Sequence, residues 1–322
     1  MPLVPMMQVL QEACKGRYGI GAFNVNNMEQ VQGIMQAARD NNAPVVLQAS
    51  RGALQYTNLV YLKHLMLAAV EENPDIPIVV HLDHGDAKAV DTALALGFTS
   101  VMIDGSHFPY EENIALTRSV VQKAHALGVS VEAELGTLGG IEEDVVGEVQ
   151  LTDPAQAEDF VSRTGCDSLA VAIGTSHGAY KFKSLPKLAL ELVDEIYKRV
   201  GVPLVMHGSS SVPPELVAKI NKYGGSMEST FGVPVEAIQK AITYGVAKIN
   251  VDTDIRLAIT GAVRQVLAED PTKFDPRDYL APSRAAVTEV VSLRMKQFGA
   301  AGHAHDYKPM SLADAIAVYQ KQ

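Results

Sequence analysis

Short apolar runs alternate with amphipathic stretches along most of the chain. Eight runs rich in Val, Ile and Ala have the length and composition of buried strands. They cover residues 18–23, 45–50, 78–83, 100–104, 129–134, 168–174, 203–207 and 246–251. Between them, apolar residues recur at helical spacing, as in residues 28–40, 59–72, 88–96, 111–127 and 186–200. Eight successive β/α units predict a closed parallel barrel of the α/β class, the (β/α)8 or TIM barrel.

Helix-ending glycines and a helix-starting cap fall where this barrel needs them. The glycines that precede predicted strands are Gly97, Gly128, Gly165, Gly201 and Gly245. Thr152, Asp153 and Pro154 form a cap and a first turn for the helix before the sixth strand. Two stretches exceed what a barrel needs, residues 137–150 and residues 222–233, and the first has the composition of a mobile loop.

The C-terminal part of the chain predicts helices that are not part of the eightfold repeat. Beyond Arg256 we expect a long helix, a loop around residues 274–279, a helix over 283–298 and a terminal helix over 312–322. Barrels of this kind commonly occupy 250 residues or more as one unit. The expectation is therefore a single TIM-barrel domain over residues 1–322 with extra C-terminal helices.

Composition and charge narrow the functional classes. Hydrophobic residues make up 47% of the 322 residues, which suffices for a large core without metal or disulfide support. A formal charge of -10 argues against nucleic acid as a partner. Neither a signal peptide nor a membrane-spanning run is expected, and the two distant cysteines, Cys14 and Cys166, fit a reducing compartment. We therefore expect a cytoplasmic protein with no membrane partner.

Polar residues follow every predicted strand, on the face where (β/α)8 barrels carry their functional groups. In order they are Asn24, Ser50, Asp83 with His84, Asp104, Glu134, His177, His207, and Asn250 with Asp252. One such residue is usually a cap or a loop residue. Eight strands that all end in this way are hard to attribute to capping, so we expect a site at this rim.

Three of these residues form a pattern typical of a divided metal site. His84, His177 and His207 each follow a short apolar run, and each is followed by a glycine. Three imidazoles at neighbouring strand ends could bind one ion and leave a fourth tetrahedral position for substrate. Asp83 lies beside the first and is placed to move a proton near the ion. His81, on the same strand face, is interpreted as an interior packing residue.

The last three strands end in segments suited to phosphate. These segments are Gly178 with Lys181, the run Gly208, Ser209, Ser210 and Ser211, and the run from Asn250 to Thr253. Each places small or hydroxyl residues and free N–H groups at the start of a β/α loop, the usual phosphate position in this fold. Together they predict one wall that binds a small anion.

At this point the sequence resembles a known family over essentially its full length. The motifs are GAFNVNN (21–27), QASRGA (48–53), HLDHG (81–85), SVMIDGS (100–106), EAELGTLGG (132–140), GTSHGAYK (174–181), HGSSSVP (207–213) and NVDTDIR (250–256). They resemble those of the class II, metal-dependent fructose-1,6-bisphosphate aldolases. Tagatose-bisphosphate aldolases share most of them.

The resemblance implies a role for each residue. It implies that His84, His177 and His207 bind zinc and that Asp83 transfers a proton at the C4 hydroxyl of the substrate. The residues that it assigns to the ketose end and its phosphate are Gly178, Lys181, Gly208, Ser210, Asn250, Asp252 and Thr253. It assigns Ser50 and Arg256 to the distal phosphate, with Arg256 reaching into the neighbouring subunit of a dimer.

Further implications concern a second metal position and a loop carboxylate. Asp104 and Glu134 resemble positions that contact a second or displaced metal, and Glu142 or Glu143 resembles a proton-transfer residue on the mobile loop. The expected cofactor is Zn²⁺, with a monovalent cation, Na⁺ or K⁺, as an optional addition. The expected partners are a sugar bisphosphate, triose phosphates and a second copy of the chain, in a homodimer or a dimer-based oligomer that serves glycolysis and gluconeogenesis.

Three alternatives remain open at this stage. The first is the same chemistry on tagatose 1,6-bisphosphate, the C4 epimer. The second is a Schiff-base aldolase, for which Lys248 on the last strand is the only lysine inside the predicted barrel, although an ion-paired core lysine is the simpler interpretation. The third is a non-catalytic protein that binds sugar phosphates, for which Asp83 beside three histidines would have no use.

Overall fold

A closed parallel barrel forms the centre of the molecule. The computed structural model describes residues 3–138, 140–142, 145–147 and 150–321, the two short segments by their backbone alone. The strands in chain order are β1 (Ile20–Asn24), β2 (Val45–Ser50), β3 (Ile78–Gly85), β4 (Ser100–Ile103), β5 (Ser130–Leu135), β6 (Gly140–Glu142), β7 (Val145–Gly147), β8 (Ser168–Val171), β9 (Leu204–Met206) and β10 (Val246–Val251). Eight of them close in the order β1-β10-β9-β8-β5-β4-β3-β2, which confirms the predicted (β/α)8 architecture.

Helices surround this barrel and extend beyond it. They are α1 (Met6–Gly16), α2 (Met28–Asp40), α3 (Arg51–Thr57), α4 (Leu59–Glu72), α5 (Ala87–Ala95), α6 (Tyr110–His125), α7 (Pro154–Thr164), α8 (Leu190–Val200), α9 (Pro214–Lys222), α10 (Val235–Thr243), α11 (Thr253–Glu269), α12 (Pro276–Gln297) and α13 (Leu312–Tyr319). None of the helices in the described part of the chain is long and apolar enough to cross a membrane.

Local sequence explains most of these boundaries. Asp153 caps α7 by accepting a hydrogen bond from the Gln156 amide, and Pro154 occupies the first turn as predicted. Gly165 ends the same helix with φ 70°, a left-handed conformation that glycine adopts without strain. Strands β1, β5 and β10 are buried along their whole length, as is typical of parallel strands covered by helices.

Several predicted boundaries were wrong. The sixth barrel strand, β8, ends at Val171 rather than at residue 174, and β3 continues to Gly85. Within the predicted loop over residues 274–279, residues 276–279 are instead the first turn of α12, which Asp275 caps through the Arg277 amide. A proline inside this helix, Pro282, explains the error, because proline normally marks a helix start or a break.

The N-terminal end of the barrel is closed by chain termini. The residues before α1 form a parallel bridge to β3, where the Val4 amide donates to the Ile78 carbonyl at 3.0 Å. From α1 the Met7 amide donates to Ser130 Oγ at 2.9 Å, at the start of β5. Tyr319 of α13 stacks on His125 with ring centroids 3.7 Å apart. These contacts leave the opposite, carboxyl-terminal rim as the open end.

Candidate active site at the carboxyl ends of the strands

A cavity opens at the rim where the strands end, the functional face of this fold. Its walls come from the ends of β1, β2, β3 and β10 and from the loops after β8, β9 and β10. The lining residues are Asn24, Ser50, Asp83, His177, Gly178, Lys181, Gly208, Ser209, Ser210, Asn250, Asp252, Thr253 and Arg256. The residues that the resemblance assigned to substrate thus lie on one cavity, together with Asp83 and His177, whereas Ser211 of the predicted phosphate wall is not among its described lining residues.

A bulge in β3 contains His84, which has an unusual backbone conformation. The pairing register of β3 with β4 shifts between Leu82 and Gly85, and His84 within this bulge has φ 47°. That conformation is uncommon for a residue with a Cβ, and bulges of this kind often re-aim side chains at functional sites. His84 therefore lies inside an extended β3, whereas the sequence placed it after the strand.

The three predicted metal-binding histidines converge. Nitrogen atoms of His84, His177 and His207 lie within 4.8 Å of one another. The ring centroid of His177 is 5.4 Å from that of His84 and 6.1 Å from that of His207. Residues from β3 and from the loops after β8 and β9 are thus brought together across the barrel mouth.

Two carboxylates determine where the protons of these rings lie. Asp104 Oδ2 is 3.0 Å from His84 Nδ1, and Glu132 Oε1 is 2.7 Å from His207 Nε2. An ionised carboxylate can only accept, so each imidazole directs its N–H toward its carboxylate. The opposite nitrogens, His84 Nε2 and His207 Nδ1, are then unprotonated and lie 2.9 Å apart. The side-chain amide nitrogen of Asn250 also lies 3.2 Å from His207 Nδ1 and can donate to it.

The ionisation of these groups supports that assignment. Burial by itself would raise the pKa of the Asp104 carboxyl, but the hydrogen bonds that it accepts from His84 and Ser106 hold the pKa well below its usual range. Burial likewise opposes ionisation of Glu132, but the charge of Lys248 and the hydrogen bond with His207 hold its pKa low. Burial lowers the pKa of His207, which keeps that ring neutral and able to bind a metal.

Asp104 and Glu134 form a second group around His84. A carboxylate oxygen of each lies within 4.8 Å of the other and of a ring nitrogen of His84. Glu134 Oε2 is 3.8 Å from His84 Nδ1. The second oxygen of Asp104 accepts hydrogen bonds from the amide and the hydroxyl of Ser106, at 3.1 and 2.7 Å. This is the group that the sequence analysis named as a second or displaced metal position.

Asp83 lies at the floor of the cavity among side-chain amides. Its Oδ2 accepts hydrogen bonds from Asn24 and Gln48, both at 3.1 Å, and its Oδ1 accepts one from Asn250 at 3.3 Å. The donors come from β1, β2 and β10, so three strands fix one carboxylate. Asp83 is only 1% exposed, and the cavity is where it meets a ligand.

The phosphate wall is built from backbone and hydroxyl groups. Ser210 Oγ accepts a hydrogen bond from the Asp252 amide at 3.2 Å, which joins the loops after β9 and β10. Lys181 Nζ donates to the Gly208 carbonyl. Arg256 Nε donates to Asp252 Oδ1 at 2.8 Å, so a guanidinium lies at the outer edge of the cavity. Small residues and cations of this kind suit an anionic ligand.

Comparison with known proteins identifies the family of the chain. The family described as "Fructose-bisphosphate aldolase class-II" matches residues 4–303. The chain belongs to this family. It is 60% identical to a fructose-bisphosphate aldolase of Giardia intestinalis, over 99% of this chain and 100% of that protein. It is also 51% identical to a fructose-bisphosphate aldolase of a Nostoc species, over 100% of this chain and 96% of the relative.

A solved structure shows the same fold. The YdjI aldolase from Escherichia coli K12 superposes with a TM-score of 0.76 at 33% identity, covering 94% of this chain and 100% of that one. Class II aldolases are generally zinc-dependent, and the convergence of His84, His177 and His207 in this aldolase agrees with that property.

Two buried residues of this aldolase were not predicted from its sequence. Gln48 is fully buried and reaches Asp83, and Glu132 is fully buried beneath His207. One pattern could have identified Glu132. It lies two positions before Glu134 on the same strand, so both side chains point to the same side of the sheet. Gln48 has no comparable sequence pattern. A single amide side chain in an apolar strand does not indicate which residue it will form a hydrogen bond with.

Lys248 is an ion-paired core residue, as its sequence context indicated. Its Nζ is 2.9 Å from Glu132 Oε2, and both side chains are fully buried. The cavity lining does not include Lys248 among the described residues. His81 is equally buried, with Nδ1 2.8 Å from Ser100 Oγ, which confirms its interpretation as an interior residue. The geometry thus gives no support to a Schiff base on Lys248.

The loop carboxylates are only partly placed. The extra stretch after β5 forms a short hairpin of β6 and β7, with a bridge between Thr137 and Gln150 at its base. Glu142 is the last residue of β6, and Glu143 lies outside the described residues. The assignment of either glutamate to proton transfer stays a prediction.

Proposed function

We propose that this chain is a class II aldolase that reversibly cleaves fructose 1,6-bisphosphate to dihydroxyacetone phosphate and glyceraldehyde 3-phosphate. The observation that carries the proposal is the meeting of three imidazoles, one buried carboxylate and a phosphate-suited wall at a single cavity. The family and the relatives that bear the name fructose-bisphosphate aldolase support the choice of substrate.

The donor set fits a divalent cation of the zinc type. Neutral imidazoles are usual zinc ligands, and His84, His177 and His207, whose ring nitrogens lie within 4.8 Å of one another, would hold the ion. Asp104 and Glu132 orient the two rings, as outer carboxylates do in many zinc sites. When bound, such an ion supplies a Lewis acid that stabilises the negative charge developing on the three-carbon fragment. Asp104 and Glu134 are proposed as the second or displaced position.

Asp83 is proposed to move the proton of the reaction. In cleavage it takes the proton of the C4 hydroxyl, so that the C4 oxygen forms the aldehyde carbonyl while the C3–C4 bond breaks and its electron pair stays with C3. The amides of Asn24, Gln48 and Asn250 hold the carboxylate in place and occupy lone pairs that would otherwise bind water. Glu142 or Glu143 is proposed to transfer the further proton at C3.

The two phosphates are proposed to bind at opposite parts of the cavity. The ketose end and its phosphate would contact Gly178, Lys181, Gly208, Ser209, Ser210, Asn250, Asp252 and Thr253. Ser50 and Arg256 would hold the distal phosphate. Arg256 lies at the cavity of its own chain, and its reach into a neighbouring site stays a prediction.

The assembly and the cellular setting of the enzyme are a separate part of the proposal. We infer a homodimer or dimer-based oligomer, which is supported by exposed apolar side chains around the start of α4, where Tyr56 is 80% and Tyr61 71% exposed. A cytoplasmic location is supported by two cysteines that are both free. A single domain over residues 1–322, a role in glycolysis and gluconeogenesis, and activation by Na⁺ or K⁺ remain part of the proposal.

One assay tests the activity. The zinc-loaded enzyme is given fructose 1,6-bisphosphate or tagatose 1,6-bisphosphate, with and without chelator, and triose phosphate release is followed with coupling enzymes. We expect faster release from the fructose epimer and loss of release with chelator. Faster release from tagatose 1,6-bisphosphate would make that sugar the preferred substrate. Release that persists with chelator would contradict the metal-dependent mechanism. Binding without release would indicate a non-catalytic protein that binds sugar phosphates.

A further inference from the structure

A buried ion pair lies directly behind the phosphate wall. The Asp254 side chain is fully buried, and Arg294 of α12 is 2% exposed. Arg294 Nε and Nη2 both lie 2.9 Å from Asp254 Oδ2. Asp254 follows two cavity residues, Asp252 and Thr253, although neither it nor Arg294 is among the described residues that line the cavity.

The same carboxylate holds the backbone of the loop after β9. We call residues 208–212 the serine loop, which includes the cavity residues Gly208, Ser209 and Ser210. Asp254 Oδ1 accepts a hydrogen bond from the Val212 amide at 2.9 Å, and Oδ2 accepts one from the Ser211 amide at 3.3 Å. One carboxylate thus joins the outer helix α12 to the segment that is proposed to bind phosphate.

The serine loop needs such support because its backbone is strained. Val212 has φ 48°, a left-handed conformation that is rare for a β-branched residue. Local sequence does not favour that conformation, so tertiary contacts must maintain it. A second contact comes from Gly232, where a Cβ would lie 2.3 Å from the Ser211 carbonyl oxygen. The serine loop is therefore held by Asp254 on one side and packed closely against Gly232 on the other.

We propose that the Asp254–Arg294 pair is a positioning device that sets the serine loop, and through it the affinity of the site for the phosphate of the ketose end. The proposal rests on the proposed function of the cavity. Arg294 fixes the carboxylate with two donors that converge on Oδ2, and the carboxylate holds the loop so that its N–H groups and hydroxyls face the ligand. Neither residue touches the reacting atoms, so both are positioning residues.

The test compares phosphate affinity with turnover. Binding of dihydroxyacetone phosphate and of inorganic phosphate to the zinc-loaded full chain is measured by calorimetry for wild type and Asp254→Asn. An asparagine must place its NH₂ group either against the Val212 amide or against both Arg294 and the Ser211 amide, so hydrogen bonds to the serine loop are lost in either orientation. We expect affinity for both probes to fall about tenfold, the equivalent of one charge-assisted hydrogen bond. KM for the bisphosphate should rise by a similar factor, with zinc content unchanged and kcat much less affected.

A second variant keeps the proposal testable if Asp254→Asn does not fold. Removing one partner of a buried pair leaves an uncompensated charge, whereas replacing both avoids it. The double variant Asp254→Asn with Arg294→Met should fold and still show the weakened binding. Unchanged affinity in either folded variant overturns the proposal.

The matched control is Val287→Ala on the same helix. Val287 is fully buried in α12 against Gly33 of α2, so its truncation loosens the helix without touching Asp254. We expect a lower melting temperature and unchanged phosphate affinity. A control that weakens binding as much as Asp254→Asn would also overturn the proposal, because general loosening would explain both. Failure of wild type to cleave the bisphosphate, with variant effects on phosphate binding intact, would reject the proposed function alone.

Discussion

At the scale of single residues, the position of each proton decides what the site can bind. Asp104 and Glu132 each accept the N–H of one imidazole, so the remaining nitrogens of His84 and His207 point at each other as acceptors. The side-chain amide of Asn250 also lies 3.2 Å from His207 Nδ1, and neutral imidazoles held in this way are suited to bind a metal. The same side chains therefore fit a metal site.

Loss of one imidazole should remove the metal while the fold is retained. For His84→Ala, His177→Ala or His207→Ala we expect zinc content to fall close to zero and cleavage to be lost. Metal analysis and circular dichroism measure the two effects. The clearest case is His177, which lies on a loop outside the strands. The control is His64→Ala, an exposed histidine of α4, which should retain zinc. Full zinc occupancy in His177→Ala would exclude that residue from the site.

Loss of the Asp83 carboxylate should slow the reaction without removing the metal. Asp83→Ala should retain zinc and substrate binding while cleavage slows by about a hundredfold or more, the lower range for a lost general base. Single-turnover kinetics measure this step directly. Asp91→Ala, at an exposed carboxylate of α5, is the control and should have wild-type rates. Near-normal turnover of the Asp83 variant would mean that another group accepts the proton of the C4 hydroxyl. Glu142 and Glu143 would then be replaced in turn.

At the scale of elements, the interior of the barrel carries a polar layer beneath the metal site. His81 of β3, Glu132 of β5 and Lys248 of β10 are all fully buried. Lys248 and Glu132 form an ion pair that crosses the barrel interior. Burial and the charge of Lys248 lower the pKa of His81 to about 3. Three strands are therefore coupled through groups whose protonation matters to the fold.

Stability should therefore fall on mild acidification. An unfolded chain protonates His81 near its ordinary pKa of about 6.5, but the folded chain does not until about pH 3. Between these values the unfolded state binds the extra proton, so the free energy of unfolding decreases as pH falls through 6.5, by about 1.4 kcal/mol per unit at full effect. His207, whose pKa is also lowered, acts in the same direction. Urea unfolding between pH 7 and 5, with chelator present, measures the slope.

The control for this effect is His81→Gln. Glutamine does not titrate, so the variant should show a smaller pH dependence in the same window, by about one proton. The ionised carboxyl groups of Asp104 and Glu132, whose pKa values are lowered in the fold, also stabilise it. This contribution is lost only when pH falls below the ordinary carboxyl pKa of about 4, so it does not affect the comparison between pH 7 and 5. Equal slopes for wild type and His81→Gln would mean that His81 is not the group that titrates.

At the scale of the whole molecule, the main question is whether one chain completes its own site. Arg256 lines the cavity of its own chain and pairs with Asp252, while its side chain is 62% exposed. The same side chain is thus available to a neighbouring subunit. The exposed apolar residues around α4 support the inferred dimer.

Replacement of Arg256 distinguishes these two arrangements. Arg256→Ala should raise KM for the bisphosphate strongly but leave proton exchange on dihydroxyacetone phosphate intact, because only the distal phosphate loses its guanidinium. If Arg256 acts across a dimer, mixing Arg256→Ala with Asp83→Ala subunits should restore some complete sites. The kinetics of the mixture, after confirmed subunit exchange, provide the measurement. No recovery would place Arg256 in the site of its own chain.

The periodicity of apolar residues and the sequence motifs were sufficient to predict the fold and the location of the candidate site. The eight buried runs gave the barrel, because a parallel strand must be apolar on both faces and its neighbours must be helices. The polar residues after the runs were expected at one rim, because carboxyl ends of parallel strands meet there. His84, His177 and His207 could thus be placed together without coordinates, as could the residues that line the cavity.

Only the tertiary structure decided features that depend on contacts between distant segments. Pro282 continues α12 because packing of that helix outweighs one lost backbone hydrogen bond, which local sequence cannot show. The bulge that turns His84, the amide of Gln48 on Asp83 and the carboxylate of Glu132 beneath His207 each join residues on different strands. The Asp254–Arg294 pair joins α11 to α12 and supports a loop after β9. Sequence fixes which side chains exist and which face they share, whereas hydrogen bonds at about 3 Å require the positions of both partners.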